Sequence, residues 1–151
     1  MRYNLVMKLR IKKMRTNAIL PQYQSAGAAG FDFHACIDEA VTLKPGDMIG
    51  FPTGVGIELP DGYELQVRSR SGLAFRHRVS MLNGVGTIDA DYRGEIQVLL
   101  RNYGENEFVV EPGMRIAQGV IAKVERVEWE ESDDLSETKR SYGGLGSTGL
   151  K

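Results

Sequence analysis

Cysteine and histidine are nearly missing from this chain. One cysteine, Cys36, and two histidines stand among 151 residues, so no intramolecular disulfide can form and no structural zinc site has enough ligands. This usage predicts a cytoplasmic, reducing location. A charge excess is missing as well: 19 basic residues face 20 acidic ones, for a net charge of -1. No overall field recruits nucleic acid or a membrane surface, and any anion must be bound locally. Long apolar runs are absent from the start of the chain, where MRYNLVMKLRIKK interrupts its apolar residues with charges, so neither a signal peptide nor a membrane span is expected. There is no repeat and no low-complexity tract. With 18 glycines, few long helices are expected either.

Short strands and turn signals are what the chain does have. Met7, Leu9 and Ile11 alternate with Lys8, Arg10 and Lys12, Ile57 and Leu59 flank Glu58, and Leu65 and Val67 alternate with Gln66 and Arg68. Ile96, Val98 and Leu100 oppose Glu95, Gln97 and Arg101 in the same way, which is the period of a half-buried strand. Lys44-Pro45-Gly46-Asp47, Pro60-Asp61-Gly62 and Glu111-Pro112-Gly113 separate such runs. Regular spacing of strands and turns predicts one all-β barrel or sandwich, with a single short helix starting at Ser71. From Trp129 the composition changes: Glu130, Glu131, Asp133 and Asp134 open a stretch too poor in apolar residues to build a core. The expected division is a β-barrel domain over 1–128 and a tether with a glycine-rich arm over 129–151. At about 3.3–3.6 Å per residue, the extended tether reaches on the order of 40 Å, enough to meet a neighbouring subunit.

Four segments carry candidate chemistry. The glycine-bounded run NGVGTIDADYRGEIQVLLRN (83–102) places Asp89, Asp91, Tyr92 and Arg93 on one turn, which reads equally as a reactive hairpin or as a surface turn made by Asp and Gly. Arg70-Ser71-Gly72 puts a guanidinium beside free amides at a helix start, a place that favours anions. Gln118, after Arg115, offers an uncharged donor. Arg140 through Gly149 combines a cation, backbone amides and hydroxyls, the groups that hold phosphate, although it has no Gly-Lys-Ser/Thr and is no Walker loop. Each alone is weak. Together they offer phosphate clamps and a carboxylate for activating water, with Asp89 the candidate base and Asp32 a supporting carboxylate.

These segments, in this order, resemble the five motifs of the trimeric deoxyuridine triphosphatases (dUTPases). AGFDFHA (29–35), RSGLAFRHRV (70–79), LNGVGTIDADYRGEI (82–96), RIAQGVI (115–121) and RSYGGLGSTG (140–149) are similar to motifs one to five. The resemblance implies a jelly-roll-like distorted β-barrel, a homotrimer with active sites at subunit interfaces, and an arm that closes over a site. It implies hydrolysis of dUTP to dUMP and pyrophosphate, supplying dUMP for thymidylate synthesis and keeping uracil out of DNA. Mg²⁺ would be held mainly by the substrate phosphates, with Asp32 acting on it through water.

By the same resemblance, Asp89 would activate the water that attacks the α-phosphate, and Arg70, Ser71 and Gly72 would bind phosphate oxygens. Gln118 would contact the α-phosphate region, and Arg140, Gly146, Ser147 and Thr148 the γ-phosphate end. Backbone at Asn83 and Gly86, with Thr87 and Ile88 beside them, would read the uracil edge, while Tyr92 would pack on the deoxyribose. Leu145 stands where the family usually has a Phe that stacks on the base; leucine covers without stacking, and Tyr142 offers a nearby ring. Trp129 is expected to anchor the start of the arm. Two rivals are a dCTP deaminase on the related fold, with Glu95 activating water, and a non-catalytic nucleotide-binding regulatory trimer.

Overall fold

The computed structural model describes residues 7–145; the expectations for Gly146, Ser147 and Thr148 lie outside them. Among the described residues there are twelve strands and one helix: β1 (Arg10–Lys13), β2 (Gln22–Tyr23), β3 (Phe31–His34), β4 (Val41–Leu43), β5 (Met48–Pro52), β6 (Val55–Glu58), β7 (Tyr63–Arg68), α1 (Ser71–His77), β8 (Val79–Met81), β9 (Gly86–Ile88), β10 (Gln97–Asn102), β11 (Phe108–Val110) and β12 (Arg115–Lys123). Every pairing is antiparallel. A five-stranded sheet runs β2-β3-β12-β7-β9, a three-stranded one β5-β10-β8, and two pairs, β1-β6 and β11-β4, complete the wall. The all-β expectation holds, with α1 starting at Ser71 as the sequence indicates.

Alternation explains why these strands face as they do. Val98 and Leu100 of β10 are buried, with Ile96 just before the strand, while Gln97 and Leu99 are exposed. Leu65 and Val67 of β7 enter the same core with Leu43, Phe51, Val55 and Ile116, each such side chain contributing roughly 1.5–3 kcal/mol through its removal from water. Aromatic packing dictates one glycine. A Cβ on Gly119 would lie 2.5–2.8 Å from ring atoms of Phe31 and Phe33, whose rings meet edge to face at 5.5 Å.

The strand-like alternation at the start of the chain is met in part: β1 contains Ile11, which is 37% exposed, while Leu9 packs against the core. One expectation fails among the described residues: Trp129 is 93% exposed and does not anchor the arm on them. The last strand ends at Lys123, and the Val124 N–H donates to Gly62 O at 2.9 Å. Past this bond, the described residues form no strand and are exposed almost throughout.

Candidate active site

The expected hairpin is instead a turn between two sheets, since β9 pairs with β7 while β10 pairs with β5 and β8, and this turn is held by its own bonds. The Tyr92 N–H donates to Asp89 O at 3.1 Å, and Arg93 Nη1 donates to Ala90 O and Tyr92 O at 2.6 and 3.0 Å. Tyr92 Oη closes the turn on Glu95 O at 3.0 Å. This geometry requires Gly94, since a Cβ there would overlap the phenol.

In front of the turn lies a cavity of about 220 Å³ lined by Val67, Met81, Asn83, Gly86, Thr87, Ile88, Asp89, Tyr92, Glu95, Gln97 and Leu99. Six candidates from the 83–102 segment, Asn83, Gly86, Thr87, Ile88, Asp89 and Tyr92, therefore share one concave surface. Gly86 matters at its back: a Cβ would come within 3.1 Å of Asn83 Nδ2 and 3.5 Å of Val67 Cβ. Sequence reasoning did not name Val67, Met81 or Leu99 as lining residues. The β7 alternation showed that Val67 faces inward, but not that β9 would leave a hollow beside it.

The second cluster sits on the other face of the five-stranded sheet. Gln118 pairs with Asp32 on one side and Arg68 on the other, so the three share a pleat row, opposite in direction to Val67. Asp32 is buried and pairs with two guanidiniums, Arg70 Nε at 3.2 Å and Arg115 Nη1 at 3.1 Å. Arg70 Nη1 also donates to Arg115 O at 2.9 Å. The aspartate thus orients both arginines as fixed cations. Gln118 Nε2 donates to Ser69 O at 3.0 Å, and Gln118 Oε1 fills the space where a Cβ on Gly30 would sit, 2.6 Å away. Arg70 is the residue before α1, in extended conformation, and no side chain caps the helix; the leading amides of Ser71 and Gly72 have no intrahelical acceptor. Arg115 as the second partner of Asp32 was missed, because only the register of β3 against β12, with its bulge between Arg115 and Ala117, brings them together.

None of Arg70, Ser71, Gly72 or Gln118 lines the Asp89 cavity, so a single chain presents the two halves as separate surfaces. The described part of the tail, up to Leu145, joins neither. Arg140 Nε donates to Gly143 O at 2.9 Å, and the Gly143 N–H returns a bond to Arg140 O at 2.8 Å. Tyr142 and Leu145 are fully exposed. His34, behind the Asp32 cluster, has its pKa lowered mainly by burial.

Comparison with known proteins identifies the architecture. The dUTPase family model matches residues 16–149. The chain belongs to the dUTPase family. It is 50% identical over 146 residues to the deoxyuridine 5'-triphosphate nucleotidohydrolase of Rickettsia felis, covering 96% of this chain and 99% of that one. It is 51% identical over 145 residues to that of a Hydrogenobaculum strain, covering 96% and 100%. Among solved structures, the dUTPase of Staphylococcus bacteriophage 80alpha with dUPNHPP superposes with a TM-score of 0.87 at 25% identity, over 96% of this chain and 100% of that one. The jelly-roll-like β fold is thereby established, and the motif-based resemblance with it. No helix among the described residues is long and apolar enough to cross a membrane.

Proposed function

We propose that this dUTPase-family chain hydrolyses dUTP to dUMP and pyrophosphate in the cytoplasm, as a homotrimer whose sites are completed between subunits. The observation that carries the reading is the cavity that gathers Asp89, Tyr92 and the 83–88 backbone, with the guanidinium cluster facing away from it. A triphosphate ester needs both halves, and a second copy supplies the missing one. The 1–128 barrel presents both surfaces, and the 129–151 arm, carrying Arg140, Leu145, Gly146, Ser147 and Thr148, closes over a neighbour's nucleotide.

In this mechanism the uracil edge meets the backbone at Asn83 and Gly86, flanked by Thr87 and Ile88, and the deoxyribose packs on Tyr92, where a ribose hydroxyl collides. Asp89 takes a proton from water as the water oxygen bonds to the α-phosphorus in line with the departing bridge oxygen. The bond between the α-phosphorus and that oxygen breaks, and pyrophosphate leaves with the electron pair. Arg70, the amides of Ser71 and Gly72, and Gln118 hold the phosphate oxygens. Mg²⁺ would arrive with the triphosphate and be held mainly by its oxygens. Asp32 retains acceptor capacity beyond its two guanidinium contacts and would act on the ion through water. The ion would neutralise charge on the departing pyrophosphate. The deaminase alternative loses its candidate base, because the Glu95 carboxylate is already held in a bidentate ion pair by Arg15.

Pyrophosphate release from dUTP, with dCTP and UTP assayed in parallel, tests the reaction; no release from dUTP overturns it. Sharing of sites is tested by mixing an Asp89→Asn protein with one truncated before Arg140 under subunit exchange. Activity should return in the mixture, and a sedimenting monomer would overturn the trimer.

A further inference from the structure

Arg15 lines no part of the Asp89 cavity, yet it is tied to it through a chain of contacts. Its Nε donates to Glu95 Oε1 at 2.7 Å and its Nη2 to Glu95 Oε2 at 3.1 Å, a bidentate pair across 80 positions of sequence. The Glu95 side chain is largely shielded, and Oε1 also accepts the Gly54 N–H at 2.8 Å. The segment bearing Arg15 is itself fixed, since the Met14 N–H donates to Gly54 O at 2.7 Å. Three pieces of chain, the N-terminal segment, the turn between β5 and β6, and the β9–β10 turn, thus converge on one carboxylate. The carbonyl of that same Glu95 accepts from Tyr92 Oη at 3.0 Å, and Gly94 leaves the ring room to lie flat across the turn. Fork-shaped pairing of guanidinium with carboxylate fixes orientation as well as distance.

We propose that Arg15 is a positioning residue for sugar selection: by clamping Glu95 it fixes the carbonyl that aims the Tyr92 ring, and so sets how sharply the site rejects a ribonucleotide. The inference rests on the reading of Tyr92 as the deoxyribose platform. Loss of the clamp lets the turn shift by a fraction of an ångström, which widens the space beside C2′ while leaving Asp89 chemically intact.

The test measures kcat/KM for dUTP and UTP in full-length Arg15→Ala, Arg15→Lys, Tyr92→Ala and Arg10→Ala proteins. Arg10 makes another N-terminal ion pair, with Glu58, and serves as the control for merely loosening that edge. Arg15→Ala should narrow the dUTP over UTP ratio roughly three- to tenfold, as small misplacements at a specificity contact do. Arg15→Lys, which keeps the charge without the fork, should narrow it less, and Arg10→Ala should leave it unchanged. If Tyr92→Ala narrows the ratio and Arg15→Ala does not, the clamp is overturned while the Tyr92 reading stands. If Tyr92→Ala leaves the ratio unchanged, both fall. Equal effects from Arg10→Ala and Arg15→Ala would also overturn the inference, since the cause would then be general loosening. Should Arg15→Ala fail to fold, Arg15→Lys decides: an unchanged ratio overturns the proposal.

Discussion

The turn from Asp89 to Glu95 and the tail from Arg140 to Leu145 are both short, glycine-bearing segments proposed for the site, yet the chain treats them oppositely. Along the turn, Tyr92, Arg93 and Glu95 each bond to the turn itself or to the barrel. In the described part of the tail, the bonds are local, Arg140 with Gly143 and the Ser141 N–H with Thr138 Oγ1, and Tyr142 and Leu145 are fully exposed. Groups that must hold a reacting water have to be in place before the substrate arrives, whereas a cover must be able to leave. Order in the first region comes from the chain itself; in the proposed mechanism, order in the second would come from the nucleotide and a neighbour, through contacts with phosphate.

The largest expected effect lies in the β9–β10 turn. Asp89→Asn should preserve fold and dUTP binding while lowering turnover by roughly 10²–10⁴, the loss typical of removing a general base; isothermal titration beside a pyrophosphate assay checks both halves. Deleting 139–151 should leave the melting temperature nearly unchanged, because the described residues of this segment, 139–145, are exposed almost throughout. It should lower kcat/KM by about 10²-fold, as expected for losing one or two charge-assisted hydrogen bonds to phosphate. A fall in melting temperature would show that the tail is part of the fold, and unaltered activity would make it a bland terminus. The smallest effect belongs to Leu145→Phe, which restores a ring over the base; stacking contributes on the order of 1 kcal/mol, so dUTP should bind a fewfold to about tenfold more tightly.

The same contrast explains what the sequence made legible. Strand direction on β7 and β10, the start of α1 and the gathering of Asn83 through Tyr92 follow from local period and turn chemistry, which act over a few residues. Asp32 with Arg115 and Arg15 with Glu95 were not legible, since they depend on strand register and on chain crossings 80 or more positions long. The anchored Trp129 was expected from its apolar ring alone. Apolarity states a need for cover without saying which chain provides it.

The bond between Val124 and Gly62 that ends the barrel also sets a concentration. From that point to Arg140, roughly sixteen residues, if they behave as a random coil, have a root-mean-square span of about 20–25 Å. Under the proposed closure, a phosphate-binding segment on such a leash would sample its target at an effective concentration in the millimolar range. Individually weak contacts at Arg140 and the following glycines would then suffice for closure, and equally for release once pyrophosphate has formed.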